Sequence, residues 1–261
     1  MSSSESSSQL VSPVVRGLRL LRYIADGGST ANLSEVGRAI DVNRVTVMRL
    51  LATLEHENMI ERLPQGGHRV GFGFLSMAAA AVGEHDLVAA GRRAIAALCR
   101  EFDLSAYLVM LDGDEVVYMA RAMPDAGLVS HIKVGSRVPA HLTAPGRAML
   151  ATMSEAEIER RYAGRALTPV TRHNPVDRAA LIAILADDRR RGCAWSFSGY
   201  EEGIDACAAA ICDSSGKAVA ALSVVGPENV VSRREGVVER VGQAVMAAAR
   251  ELGRIEAVQA T

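Results

Sequence analysis

Asn43-Arg44-Val45-Thr46-Val47-Met48-Arg49-Leu50-Leu51-Ala52-Thr53-Leu54 is a helix with its own start signal. Asn43 is a favoured N-cap, its short side chain accepting from the first free backbone amides. Val47, Leu50, Leu51 and Leu54 recur at helical spacing and form a stripe to be buried. Arg44, Thr46, Met48 and Arg49 lie off that stripe, with no carboxylate among them. Such a face can enter a major groove, where Arg forks onto guanine or phosphate oxygens and Thr contacts either. Any amphipathic helix has a polar face, so the helix alone does not decide the matter.

Its neighbours decide it. Asn32-Leu33-Ser34-Glu35 reads as a cap with an acidic third position, backed by Val36, Ala39 and Ile40. Asp41-Val42 leaves only a tight turn before Asn43, so the pattern is helix-turn-helix with the second helix as reader. Met59-Ile60-Glu61-Arg62, Pro64-Gln65-Gly66-Gly67 and His68-Arg69-Val70 follow as a short hairpin with a glycine-rich tip. This is a wing, able to lie against the DNA backbone. The expected contact set is Arg16, Arg19, Ser34, Asn43, Arg44, Thr46, Val47, Arg49, Gln65, His68 and Arg69.

Composition bounds the rest. The 261 residues, 49% of them hydrophobic, suffice for one large or two modest domains. The formal charge of −1 supplies no global field, and residues 1–73 hold eight Arg against seven acids, so any DNA footprint is local. A dimer presenting two reading helices would compensate. Cys99, Cys193, Cys207 and Cys212 show neither a C-x-x-C pair nor zinc-ligand spacing, which points to reduced buried thiols, no metal and no cofactor. No apolar run approaches the roughly 18 residues of a membrane span, and residues 1–12 lack a signal-peptide core; a cytoplasmic location is expected.

Residues 1–12, with seven serines, read as a disordered tail. A first helix from Pro13 to about Asp26 carries Val14, Val15, Leu18, Leu21 and Ile24, with Arg16, Arg19 and Arg22 on a polar flank. These complete a winged helix-turn-helix domain over 13–72. An alanine-rich linker helix covers 73–90, and a further helix runs from about Ala89 to Phe102. Then the period changes to that of strands. Tyr107–Leu111 and Glu115–Ala120 flank Asp112-Gly113-Asp114, a hairpin signal. Residues 121–135 loop onward. Helices are expected from Pro145, from Ser154 and from near Val176 to Arg191, two strands over 203–212 and 218–225, and a last helix over about 233–254. The fold class is α+β, with 91–261 as the second domain.

The order of these motifs resembles the IclR family of bacterial transcriptional regulators over almost the whole chain. The resemblance rests on Val42–Leu51, on Val134-Gly-Ser-Arg-Val-Pro-Ala-His-Leu-Thr-Ala-Pro-Gly-Arg-Ala-Met-Leu-Ala151, on Gly203-Ile204 and on Ala221-Leu-Ser-Val-Val-Gly-Pro227. It implies a winged helix-turn-helix, a linker helix and an effector domain similar to GAF and PAS folds. It also implies a homodimer or dimer of dimers on double-stranded operator DNA, repressing or activating according to a metabolite; the expectation for this chain is a repressor tuned by a small carboxylate. In the family, the turn opening the Gly146 helix grips that carboxylate with backbone amides; here the effector positions of that turn are Ala144, Pro145 and Gly146, and Pro145 has no N–H. The other effector positions correspond to Ser196, Ile204, Ala206, Cys207, Ser223 and Val225, several less polar than the family norm. A cavity with fewer donors suits a less polar, aromatic ligand. His141 beside this turn reads as a core or dimer-contact residue before a ligand contact.

Two other readings stand beside this one. Cys207 with Glu201, Glu202 and Asp205 would make an enzyme site if His141 or His173 came close. A solvated loop followed by a core thiol explains the same residues. A dimeric DNA-binding protein without a ligand leaves the large second domain without a task.

Overall fold

The computed structural model describes residues 10–83, 86–125 and 132–259. Most of the serine-rich tail and part of the loop expected over 121–135 lie outside them. The chain divides into two compact units, Met1–Glu84 and His85–Thr261.

In the first unit, helices α1 (Ser12–Ala25), α2 (Leu33–Ile40) and α3 (Arg44–His56) precede a hairpin of β1 (Ile60–Arg62) and β2 (His68–Val70). Asn32 caps α2 by accepting from Ser34 N at 3.1 Å, and Asn43 caps α3 by accepting from Thr46 N at 2.8 Å. Asp41 takes a left-handed conformation between them, φ 57°. Gly37 permits the tight crossing, because a Cβ there would stand 2.6 Å from Val42 O. Leu20, Leu21, Ile24, Val36, Ile40, Val47, Leu51 and Ile60 form one core. The stripe expected along α1 holds only in its C-terminal half: Val14 and Leu18 are exposed. Helix α4 (Phe72–Gly83) follows, with Phe72, Leu75 and Met77 exposed.

The second unit opens with α5 (Asp86–Phe102). The linker helix was expected to cover 73–90, but Leu87 and Val88 are buried residues of α5. Next come β3 (Ser105–Asp112), β4 (Glu115–Ala122), β5 (Arg137–Pro139), one 3-10 turn (Ala140–Leu142) and α6 (Ala144–Leu150). Then follow α7 (Glu155–Arg161), α8 (Arg178–Arg191), β6 (Ala194–Phe197), β7 (Ile204–Cys212), β8 (Ala218–Pro227) and α9 (Val237–Gln259). The six strands form one antiparallel sheet in the order β5-β4-β3-β8-β7-β6. Side chains alternate between its faces. Leu108, Cys207, Leu222 and Val224 pack with α5 and α9 on one side. Tyr107, Val109, Tyr118 and Ala221 pack with α6, α7 and α8 on the other. The α+β class is as expected; β5 and β6 are additional strands, and α9 begins four residues late.

α6 sits close to the sheet because the contact is made of Ala144, Ala148, Ala194 and Ala208. Gly146 allows equally close approach to the preceding turn, where a Cβ would lie 2.0 Å from Ala140 O. This places the first turn of α6 over β7 and β8, where the cavity described next lies.

Candidate DNA-reading face and effector cavity

In the first unit, a concavity of about 560 Å³ between α1, α2 and α3 is lined by Arg16, Ser34, Arg38, Asn43, Arg44 and Thr46. Arg16, Thr46 and Arg49 line an adjoining groove between α1 and α3. Six of the eleven expected contact residues are therefore contiguous. Among the described ion pairs none involves Arg16, Arg38, Arg44 or Arg49. Arg19 is exposed on α1, and Gln65 is exposed at the wing tip.

Two of the expected contacts are corrected. Val47 is fully buried, 0% exposed, because it is the residue of α3 aimed at α1 and α2. His68 lies under the wing, its side chain 7% exposed. Its Nε2 meets Glu55 Oε1 at 2.7 Å and its Nδ1 meets Thr30 Oγ1 at 2.7 Å. It fastens the hairpin to α3 and the α1–α2 loop. Burial acts to raise the Glu55 carboxyl, but the His68 hydrogen bond and the Arg62 charge outweigh it and hold the group below its ordinary value. Arg69 is exposed and pairs with Glu61 across the hairpin.

In the second unit, a cavity opens between the first turn of α6 and the sheet. It is lined by Ala144, Pro145, Ser196, Ile204, Ala206, Ser223 and Val225, seven of the nine expected effector positions. Strand register explains the gathering: Ser196 pairs with Ala206 and Ala206 with Val225, one rung across β6, β7 and β8. Ser223 stands on the next rung of the same face, opposite Ala208 and Tyr107.

Cys207 is the residue between, so it points through the sheet to the α5–α9 side, fully buried. The expectation that it meets the effector is corrected by this period of two. Its thiol partner there is Cys193, whose thiol is lowered to about 7 by their hydrogen bond. Burial raises Cys207 itself. His141 packs edge-on against Tyr162 on the other side of the sheet, and His173 is exposed beside Arg172. Neither reaches Cys207, and among the described residues no cluster of His, Cys, Asp or Glu is placed to hold a metal. Asp205 serves the turn before β7, accepting from Ser198 N at 3.2 Å. Gly146 does not line the cavity; its N–H donates to Thr143 Oγ1 at 3.1 Å.

Five lining residues were missed: Tyr118, Ile132, Thr143, Tyr200 and Glu201. Thr143 was within reach, as a capping residue one place before Ala144-Pro145. Tyr118 carries no local signal; its strand reaches the site only through β3. The cavity offers about 30 Å³, against the ~300–1,000 Å³ of a formed small-molecule pocket, so it must widen to admit one. Ser223 Oγ is buried with no hydrogen-bond partner. Burial keeps Tyr118 protonated far above neutrality.

Among the described residues no helix is long and apolar enough to cross a membrane. Comparison with known proteins agrees with both halves of this picture. Residues 13–64 match the IclR helix-turn-helix domain, and residues 79–254 match the bacterial transcriptional regulator IclR C-terminal domain. The HTH-type transcriptional regulator XynR of Escherichia coli is 26% identical over 94% of this chain and 98% of its own. The probable transcriptional regulator SauR of Cupriavidus necator is 31% identical over 82% of this chain and 85% of its own. An IclR homologue from Microbacterium hydrocarbonoxydans, solved with 4-hydroxybenzoate, shares the fold at a TM-score of 0.82 with 22% identity, covering 95% of this chain and all of that one. A helix-turn-helix domain followed in the chain by an effector-binding domain, matched over 13–64 and 79–254, makes this chain a transcriptional regulator of the IclR family.

Proposed function

We propose that the chain is a repressor that holds operator DNA as a homodimer, or a dimer of dimers, and changes its grip when a small organic molecule enters the cavity over β7 and β8. The observation that carries this reading is the unpaired basic face of α3 and its neighbours. Arg16, Arg44 and Arg49 are exposed, and among the described residues no carboxylate forms an ion pair with them, although Asp41 borders the same concavity. Charged side chains without a partner on a folded surface are suited to phosphate and base edges. Arg19 and Gln65 would extend the contact, with Arg69 holding the backbone beside its Glu61 pair. Dimerisation follows from groove geometry, since one reading helix per half-site requires a second copy about one helical turn of DNA away. Exposed Phe72, Leu75 and Met77 on α4 give such a pair apolar surface to share. The divide between the reading and sensing halves falls in the helical connection of 73–90, and the protein works in the cytoplasm beside its operator.

The unpartnered Ser223 hydroxyl supports a ligand-binding reading over a ligand-free one. From the Microbacterium homologue this proposal takes the aromatic body of the ligand; the expected carboxylate meets no cation among the described lining residues. An enzyme reading has no support, because Cys207 faces away from the cavity and from both histidines considered for it.

The test is selection of bound sites from random duplex DNA, followed by transcription in vitro from a promoter carrying the selected site. The expected result is a near-palindromic site, transcription lowered by the protein, and relief by a ligand that also raises the protein's melting temperature. Transcription raised by the protein would remove the repressor assignment. Failure to select any site would remove the reading altogether.

A further inference from the structure

The cavity is polar in one particular way. Its polar side chains are the hydroxyls of Tyr118, Thr143, Ser196, Tyr200 and Ser223 and the carboxyl of Glu201. Among the described lining residues there is no Lys, Arg or His, and the one carboxylate, Glu201, is engaged with a partner of its own. At the turn that opens α6 the Ala144 N–H remains as a backbone donor, but its neighbours add none. Pro145 has no N–H, and the Gly146 N–H is already given to Thr143 Oγ1. Thr143 is further engaged by its hydrogen bond with Tyr118. An anion taken from water into such a place loses its hydration and gains no cation from the described residues.

Ser223 presents the opposite opportunity. Its hydroxyl is 0% exposed, has no partner among the described residues, and stands among Ile204, Ala206 and Val225. A serine hydroxyl can donate and accept at once, so it matches a group that does the same. Such a partner is a neutral hydroxyl.

We infer that the ligand of this cavity is an uncharged phenol, its ring against Pro145, Ile204, Ala206 and Val225 and its hydroxyl bonded to Ser223. The inference rests on the proposal that this cavity is the effector site. It departs from the carboxylate that the family resemblance implies, and it does so on this chain's own residues.

The experiment is calorimetric titration of the full chain with three probes: 4-methylphenol, 4-hydroxybenzoate and the methyl ester of 4-hydroxybenzoate. Each is run on the unaltered protein, on Ser223→Ala and on Ala206→Leu, which fills the cavity. Ser223→Ala removes a buried unpaired hydroxyl, so it folds at least as well, and a melting curve confirms this. The expected result is binding of 4-methylphenol and the ester, with the carboxylate at least about a hundredfold weaker. Ser223→Ala weakens the two neutral probes about tenfold, and Ala206→Leu abolishes them. If 4-hydroxybenzoate binds more tightly than its ester and Ala206→Leu abolishes it, the phenol inference is overturned while the cavity stands as the effector site. If no probe binds, or binding survives Ala206→Leu, both fall.

Discussion

Val47 and Arg49 stand two positions apart on α3 and do opposite work. The first is buried in the core of the reading unit, and the second is exposed without an ion-pair partner. Arg49→Ala is therefore expected to weaken operator binding by about 1–3 kcal/mol with unchanged melting temperature, if it forks onto a base. Val47→Ala should lose about 2 kcal/mol of folding stability, while the molecules that remain folded bind the operator normally. A gel shift and a thermal melt on the same preparations separate the two, and a swap of these outcomes would reverse the assignment of faces. Glu55 gives a pH signature at the same scale. Its carboxyl is held below the ordinary 4.5 in the folded chain, because His68 and Arg62 outweigh the opposing effect of burial. A depressed carboxyl stabilises the fold above its unfolded value and loses that contribution as pH falls through the folded one. Melting temperature between neutral pH and about pH 3.5 should thus fall less in Glu55→Gln than in the unaltered chain. An equal fall in both would show that the His68–Glu55 bond adds nothing. His68 is also a lesson in reading wings. Its position beside Arg69 suggested a backbone contact, and only the fold reveals that Thr30 and Glu55 enclose it.

At the scale of elements, α6 is the piece on which the sensing unit turns. It is seven residues long, entirely buried, and tied down by Arg147, whose Nε lies 3.1 Å from Asp188 of α8 and whose guanidinium also donates to Trp195 O of β6. Burial pushes Asp188 up and Arg147 down, and each partner's charge opposes that drift. Removing one member of such a pair leaves a buried charge alone, so Asp188→Ala is expected to cost about 3–5 kcal/mol in denaturant unfolding. The double change Arg147→Met with Asp188→Leu should recover most of that loss. A double variant as unstable as the single one would mean that shape, not charge, holds α6. The elements were unequally legible. Proline at a first turn, glycine after a last one and the Asp112-Gly113-Asp114 hairpin are local chemistry, and they marked α6, α8 and the β3–β4 turn in advance. β6 was invisible because Ala194, Trp195 and Ser196 are all buried, so no alternation reaches the sequence. β5 is only three residues long and pairs with β4 alone.

For the whole molecule, the near-neutral charge makes affinity depend on a few cations, and that dependence can be counted. Each phosphate contact contributes about 0.9 to the slope of log affinity against log salt. If Arg44 meets a phosphate and two copies bind together, Arg44→Ala should lower that slope by about 2; a single bound copy would lower it by about 1. An unchanged slope would take Arg44 off the backbone. Global architecture was readable from motif order, because the helix-turn-helix and the change of period near Tyr107 are both written locally. The cavity was half readable: Ala206 and Val225 belong to strands whose pattern is visible, while Tyr118 joins them only through the pairing of β4 with β3 and of β3 with β8, and Tyr200 sits in the β6–β7 loop, which has no period to read. The misplacement of Cys207 came from the same gap, since a one-residue error in register turns a cavity residue into a core residue.

That alternation has a consequence for descent. On β7 and β8 the positions that line the cavity, 204, 206, 223 and 225, are separate letters from those that hold α5 and α9, 207, 222 and 224. Taste and foldability are thus inherited independently on the same two strands. A lineage can exchange one signalling molecule for another by drifting along every second codon while the intervening ones stay under constant selection.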